Sequence, residues 1–156
     1  MDQPKENSPL SKHNERLALL LWFRLSRFYN QSIRRSNKHL KKWGLSAAQF
    51  DVLVQVGTYQ PLTQNELASK LFVTKGNITQ VLRRMEDLGW VQRKQDWKKK
   101  VISLTDAGNS LFKEVVPNQE HFQASQFQGL KKEEQKQLLE LLKKLQLQNK
   151  EEEKLQ

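Results

Sequence analysis

The sequence predicts a mainly α-helical fold with one small β-hairpin. Apolar residues recur at helical spacing through most of the 156-residue chain. The period changes once, at two short runs of strand-like composition, residues 90–93 and 100–104, which are joined by a lysine-rich segment at 94–99. Two short helices, the second of them basic, come directly before this hairpin. Their order along the chain is that of a winged helix-turn-helix.

The first two predicted helices have clear ends. Apolar residues between Leu17 and Ile33 follow a helical period, which predicts a helix from Ser11 to about Leu40 that is closed by Gly44. The run 46–49 has the form of a capping box, with a serine answered three residues later by a glutamine. It predicts a short second helix that stops near Gly57 and Pro61.

The next two helices form the expected helix-turn-helix. Residues 63–66 form a second capping box, which opens a helix that reaches Leu71. Thr74 is expected to cap a fourth helix, which Gly89 ends in a left-handed conformation. Its predicted inner face comprises Ile78, Val81, Leu82, Met85 and Leu88.

The remaining chain predicts two more helices. One begins at Thr105 and is expected to kink or break at Pro117, and the last spans residues 130–147. The predicted division of the chain is a disordered tail at 1–10, a dimerisation helix at 11–44, a winged domain at 45–108, dimerisation helices at 109–150 and a frayed tail at 151–156.

The positive charge of the chain is local. The formal net charge is +10, and residues 11–45 carry a net +8 from nine basic and one acidic side chain. Residues 74–104 carry eight basic and three acidic side chains, a net of +5. Such concentration suits a face that binds a polyanion, although a basic run such as 11–45 can also be a solvated helix surface.

Several classes of protein are disfavoured by composition. Without cysteine, the chain has no disulfide, thiolate zinc site or thiol switch. It has no apolar run of membrane-spanning length and no signal peptide, so a cytoplasmic location is expected. The three histidines lack metal-ligand spacing, and no nucleophile–base set or phosphate-binding glycine loop is visible. We therefore expect no enzyme, metal or cofactor.

The outer face of the fourth helix contains the candidate base-reading residues. Amide side chains can pair with adenine edges, and arginine can reach guanine or phosphate. Glycine in this helix lowers its propensity, which close approach of the backbone to DNA would explain. An ordinary polar helix face is the alternative, above all for Asn77 alone. The candidate set is Thr74, Lys75, Gly76, Asn77, Thr79, Gln80, Arg83 and Arg84.

The hairpin contains the second candidate contact surface. Lysines near its tip suit phosphate contact or entry into a narrow minor groove. Trp97 stands among them and is expected to pack against the hairpin base, with stacking on sugar edges as the alternative. The candidate wing residues are Lys94, Asp96, Lys98, Lys99 and Lys100.

The motifs TQNELASKL, VTKGNITQVLRRMEDLGWVQR and SLTDAG, at these separations, resemble the MarR (multiple antibiotic resistance regulator) family. The resemblance covers residues 45–108, and the flanking helices match the family layout. It implies a bacterial homodimer with interleaved terminal helices, which binds a palindromic double-stranded operator as a transcriptional regulator, usually a repressor. It also implies DNA contacts by Thr74, Lys75, Asn77, Gln80 and Arg83.

The wing departs from the family pattern. The family usually has Asp-Arg-Arg where this chain has Asp96, Trp97 and Lys98. Lysine is a point charge without the planar donor fork of arginine. We therefore expect the wing to contribute charge more than base readout.

The flanking helices raise two further expectations. Their broad apolar stripes favour a homodimer over one continuous monomeric core. Whether the protein has an effector is open on the sequence, but any small aromatic or anionic effector is expected to bind between the dimer helices and the winged domain, with Arg34 or Arg35 neutralising an anion. The alternative is an aromatic core with solvated basic residues. The candidate lining residues are Trp22, Tyr29, His39, Trp43 and Phe50.

Two rival functions remain open on the sequence. A protein-interaction module could use the winged fold as a scaffold, although its fourth helix would then have little need of basic and amide side chains. A nonspecific architectural DNA binder is permitted by the net charge.

Overall fold

Within residues 11–71 and 75–154, which the computed structural model describes, six α-helices and one β-hairpin follow one another. The architecture confirms the predicted fold class. The predicted tail 1–10 and Thr74 lie outside the described residues. The elements are α1 Lys12–Leu40, α2 Ala47–Tyr59, α3 Gln64–Leu71, α4 Lys75–Asp87, β1 Val91–Asp96, β2 Lys99–Leu104, α5 Asp106–Ser125 and α6 Lys132–Glu153, with a short 3-10 turn at Lys41–Trp43.

The helix ends follow local chemistry. Ser46 Oγ accepts a hydrogen bond from the Gln49 amide at 3.1 Å, and the Gln49 side chain accepts one from the Ser46 amide at 2.9 Å. Both capping boxes predicted from the sequence are confirmed, since Thr63 and Glu66 make the same pair of bonds at 3.2 and 2.7 Å. Gly89 has φ of +75°, as expected for a left-handed residue that ends α4.

The core lies where α2, α3, α4, the hairpin and α5 meet. Its fully buried side chains include Leu53, Leu67, Leu82, Met85 and Val115. The expected inner face of α4 holds for all its members but one. Leu88 is 38% exposed, because it follows the last residue of α4 and so lies beyond the packed face.

The last two helices are longer than the sequence predicts. The expected break at Pro117 is wrong, because α5 continues through it to Ser125, while the alternative of a kink stays a prediction. Val115, Val116 and Gln119 are buried on either side of the proline, so tertiary packing holds the helix across the lost hydrogen bond. The last helix, α6, extends past residue 147 to Glu153 and has no buried residue in the described single chain.

The hairpin is also longer than predicted. β1 and β2 are antiparallel, with Val91 opposite Leu104 at the base and Asp96 opposite Lys99 at the tip. The expected loop at 94–99 is therefore mostly strand, and only Trp97 and Lys98 form the turn. Leu62, just before α3, joins the base of the hairpin through two backbone bonds with Ile102 of 3.2 and 2.7 Å.

No helix in the described ranges is both long and apolar enough to cross a membrane.

A close backbone approach makes Gly108 the most constrained glycine of the winged domain. A Cβ atom built there would lie 2.0 Å from the Trp90 carbonyl oxygen. That oxygen is held in place, because it accepts a hydrogen bond from the Thr105 amide at 3.1 Å. The glycine in the motif at the start of α5 is thus required for docking α5 on the hairpin.

We expect Gly108→Ala to lower the free energy of unfolding by about 2–3 kcal/mol, a typical cost of overpacking a rigid site. Urea unfolding followed by circular dichroism measures the change. Gly129→Ala is the control, because a Cβ atom there meets nothing within 4 Å. Equal urea midpoints for the two variants would contradict the steric argument.

Candidate nucleic-acid interface

The helix α4 separates its residues into two faces. Ile78, Leu82 and Met85 are almost fully buried and fix the helix on the core. The opposite face is polar and exposed, as the sequence predicts, and Lys75 is the first residue of the helix. Burial of one face therefore determines which side chains are presented to a ligand. The exposed members of the candidate set are Gly76, Asn77, Thr79, Gln80, Arg83 and Arg84.

Gly76 lies near the start of α4 with open space on its Cβ side. A Cβ atom built there meets no described atom within 4 Å, and φ is not in the left-handed region. Packing among the described residues therefore gives no reason for glycine at this position. Close approach of a ligand to the backbone remains the explanation that the sequence suggested.

The wing presents a cluster of exposed cations. Lys94, Lys98, Lys99 and Lys100 are all exposed, as is Asp96. Trp97 corrects a sequence expectation, since it does not pack against the hairpin base but is 93% exposed at the tip. The reason is the tight turn, because a two-residue connection places Trp97 beyond the last pair of strand residues.

A polar network joins the wing to α4 and α3. Arg93 Nε on β1 donates to Glu86 Oε1 of α4 at 2.5 Å, and a second nitrogen, Nη1, donates to Gln64 Oε1 of α3 at 3.2 Å. The Gln64 amide in turn donates to Thr79 Oγ1 of α4 at 2.7 Å. The two elements that present the candidate contact residues, α4 and the wing, are thus held together by side chains on the protein surface.

Sequence reasoning missed the residues of this network. Gln64, Glu86 and Arg93 belong to three different elements, so no local spacing brings them together. The signal that existed was indirect, since Arg93 and Glu86 are seven residues apart on either side of the Gly89 turn. The network also weakens the case for Thr79 as a DNA contact, because its hydroxyl already accepts a hydrogen bond from Gln64.

Two carboxyl groups of the winged domain have shifted pKa values. The pKa of Glu66 is lowered first by its bond with the Thr63 backbone, then by the Thr63 side chain and by Lys99 and Lys70. Burial raises the pKa of Asp51 on α2. Asp51 lines a groove beside α4 together with Ala48, Val52, Leu71, Asn77, Ile78, Gln80 and Val81.

The candidate effector residues are only partly brought together. His39 and Trp43 are neighbours, with ring centroids 5.4 Å apart, and Phe50 is buried in the core. Trp22 and Tyr29 are instead exposed on the outer part of α1, far along the helix from His39. A single described chain therefore places two of the five expected residues side by side.

Sequence reasoning missed the α5 partners of His39. The His39 ring stacks on Phe122 with centroids 4.2 Å apart, and its Nδ1 donates to Gln119 Oε1 at 2.7 Å. Gln119 is fully buried, and its Nε2 has no hydrogen-bond partner among the described residues. The edge of this cluster is basic, because Arg35, Lys38 and Lys42 line the same depression.

Metal ligation is not suggested by the geometry of these side chains. Among residues 11–71 and 75–154, no three histidine or carboxylate side chains lie close enough together to hold a metal ion.

Comparison with known sequences identifies relatives over most of the chain. A model of the MarR family matches residues 43–96. An uncharacterized HTH-type transcriptional regulator of Bacillus cereus is 52% identical over 130 residues, which cover 83% of this chain and 88% of that protein. YkoM of Bacillus subtilis, also described as an uncharacterized HTH-type transcriptional regulator, is 36% identical over 116 residues, 72% of this chain and 73% of its own.

Solved structures share the fold. A mutant of MarR from E. coli, complexed with operator DNA, superposes with a TM-score of 0.71 at 26% identity and covers 87% of this chain and 99% of its own. MepR of S. aureus, in a DNA complex, gives a TM-score of 0.74 at 22% identity over 81% of this chain and 95% of its own. Given these likenesses and the 52% identical relative, the chain belongs to the MarR family of helix-turn-helix regulators and is a transcriptional regulator, not an enzyme.

Proposed function

We propose that the protein is a cytoplasmic, homodimeric repressor that binds a palindromic double-stranded operator. The observation that carries the proposal is the exposed polar face of α4, which is held rigidly by the buried face behind it. Asn77 and Gln80 offer amides to adenine edges, and Arg83 and Arg84 offer donors to guanine or phosphate. Thr74 and Lys75 precede them in the sequence and are proposed as further contacts.

The wing supplies the electrostatic part of binding. Its four exposed lysines are Lys94, Lys98, Lys99 and Lys100, with Asp96 as the acidic residue beside them. Cations that neutralise phosphates release counterions from DNA, which makes affinity depend steeply on salt. We assign base readout mainly to α4 and phosphate contact mainly to these lysines.

Exposed apolar surface on the terminal helices supports the homodimer. Trp22, Phe23 and Tyr29 of α1 are each more than 60% exposed, and so is Leu147 of α6. Monomeric proteins rarely expose contiguous apolar patches of this kind. A palindrome presents its half-sites about one DNA turn apart, ~34–36 Å, and a second copy is needed to supply the second α4 helix.

An effector site is proposed at the depression beside His39. A stacked ring pair, His39 on Phe122, offers an aromatic surface, and Arg35, Lys38 and Lys42 offer positive charge. This combination suits a small aromatic anion. The site lies between α1 and α5, so a ligand there would act on the helices that set the distance between the two winged domains.

The main test is selection of bound duplexes from a random pool, followed by gel shifts. The expected result is a palindrome bound far more tightly than random duplexes, with a dimer in sedimentation and release by benzoate. Absence of any DNA binding would support the scaffold function instead. Equal binding to every duplex would support an architectural role, and a monomer at micromolar concentration would contradict the dimer.

Substitution of Gly76 should separate stability from binding. We expect Gly76→Ala to raise the free energy of unfolding by up to about 1 kcal/mol, because alanine is the better helix former. DNA affinity should fall at least about tenfold, equivalent to about 1.4 kcal/mol, if DNA approaches the backbone here. Gly129→Ala is the control. An unchanged affinity for Gly76→Ala would show that DNA does not approach the backbone at the start of α4.

Substitution of Glu86 tests whether DNA binding requires the bond that holds the wing to α4. Removing a negative charge near DNA should by itself strengthen binding. We expect the opposite for Glu86→Gln, a loss of affinity of about fivefold, roughly 1 kcal/mol, because the ion pair with Arg93 is reduced to a hydrogen bond with a neutral amide oxygen. Asp87→Gln is the matched control, since Asp87 has the same charge and is exposed. Tighter binding by both variants would show that the network does not position the wing.

A further inference from the structure

The tip of the wing presents one large apolar side chain to solvent. Trp97 is 93% exposed, more than any other large apolar residue in the described ranges. Tryptophan side chains in folded proteins are usually buried over most of their surface. Its location at the end of the element that flanks α4 makes it a contact residue for whatever the wing meets.

The backbone of the turn holds Trp97 in this position. It has φ of +55°, a left-handed conformation that is uncommon for a bulky residue. The Gln95 side-chain amide donates to the Trp97 carbonyl oxygen at 2.9 Å, which stabilises the turn. Since Asp96 and Lys99 are already paired across the hairpin, the indole is carried beyond the last strand residues.

The surroundings of Trp97 indicate the chemistry of its partner. Lys98, Lys99 and Lys100 follow it directly, and all three are exposed. An apolar ring bordered by cations matches a nucleic-acid groove, where deoxyribose and base edges lie between two rows of phosphates. An apolar groove on another protein would match the ring but would have no general use for the lysines.

We propose that Trp97 binds in the DNA minor groove beside the half-site read by α4. The indole packs on the deoxyribose walls, and its Nε1–H donates to the acceptors on the groove floor, N3 of adenine or O2 of thymine. The neighbouring lysines contact the phosphates. The inference rests on the proposed DNA binding and adds a residue that reads groove width and A·T content.

The position of the wing relative to α4 supports this assignment. Arg93 joins β1 to Glu86 of α4 and to Gln64 of α3, so side-chain bonds link both contact elements. The groove next to a major groove is a minor groove, which is therefore the groove we assign to a wing attached to α4. Minor-groove binding often uses large apolar side chains that deform the duplex, which makes the contact sensitive to sequence that is not read directly.

The test compares Trp97→Ala, Trp97→Phe and Lys98→Ala on the selected operator over a range of salt. We expect Trp97→Ala to bind at least tenfold more weakly with an unchanged salt slope, and Trp97→Phe, which keeps a ring but lacks the Nε1–H donor, to bind with intermediate affinity. Lys98→Ala should instead reduce the salt slope by about 0.9, the value for one phosphate contact. Replacing A·T by G·C pairs under the wing should weaken wild type more than Trp97→Ala.

A second measurement reports on the indole directly. The fluorescence of Trp97 is the difference between the wild-type signal and that of Trp97→Phe. Acrylamide should quench this difference strongly in the free protein and weakly in the operator complex. Wild-type affinity for Trp97→Ala, or an indole that remains equally accessible in the complex, would overturn the proposal. A wild-type protein that binds no duplex would instead contradict the proposed function itself. Thermal unfolding of the variants serves as the control for folding.

Discussion

The burial of one face of α4 is the constraint on which the interface depends. Ile78, Leu82 and Met85 are each at most 2% exposed, so rotation of the helix about its axis would expose apolar surface. The orientation of the exposed face is therefore fixed mainly by burial of the opposite face. Because the buried side supplies the stability, the exposed side chains are not selected for packing in the core.

The same logic extends to the wing. The hairpin is anchored at its base by the buried side chains of Val91, Ile102 and Leu104, and by the bridge to Leu62. Towards the tip every residue is exposed, so its chemistry is not restricted by packing. Arg93 joins the base of this hairpin to α4, and the proposed DNA contacts begin one residue further along.

Elements with local signals could be predicted from sequence, and contacts between distant elements could not. Both capping boxes and the left-handed Gly89 were predictable because the partners are at most a few residues apart. The passage of α5 through Pro117 depends on burial against the rest of the fold, which propensity ignores. Trp97 was misplaced because the strands extend to the turn, and the Arg93 network is invisible to any local pattern. The assignment of individual DNA contacts and of the effector residues stays a prediction.

The exposure of α6 bears on how the structure of the protein depends on its concentration in the cell. All 22 of its residues lie outside the core of a single chain, and Leu139, Leu141, Leu145 and Leu147 are exposed. In the proposed dimer those leucines gain their partners only on association, so the packing of α6 is coupled to protein concentration by mass action. At low copy number α6 would then lose its packing and the two winged domains their fixed spacing, and the operator would be released by dilution alone.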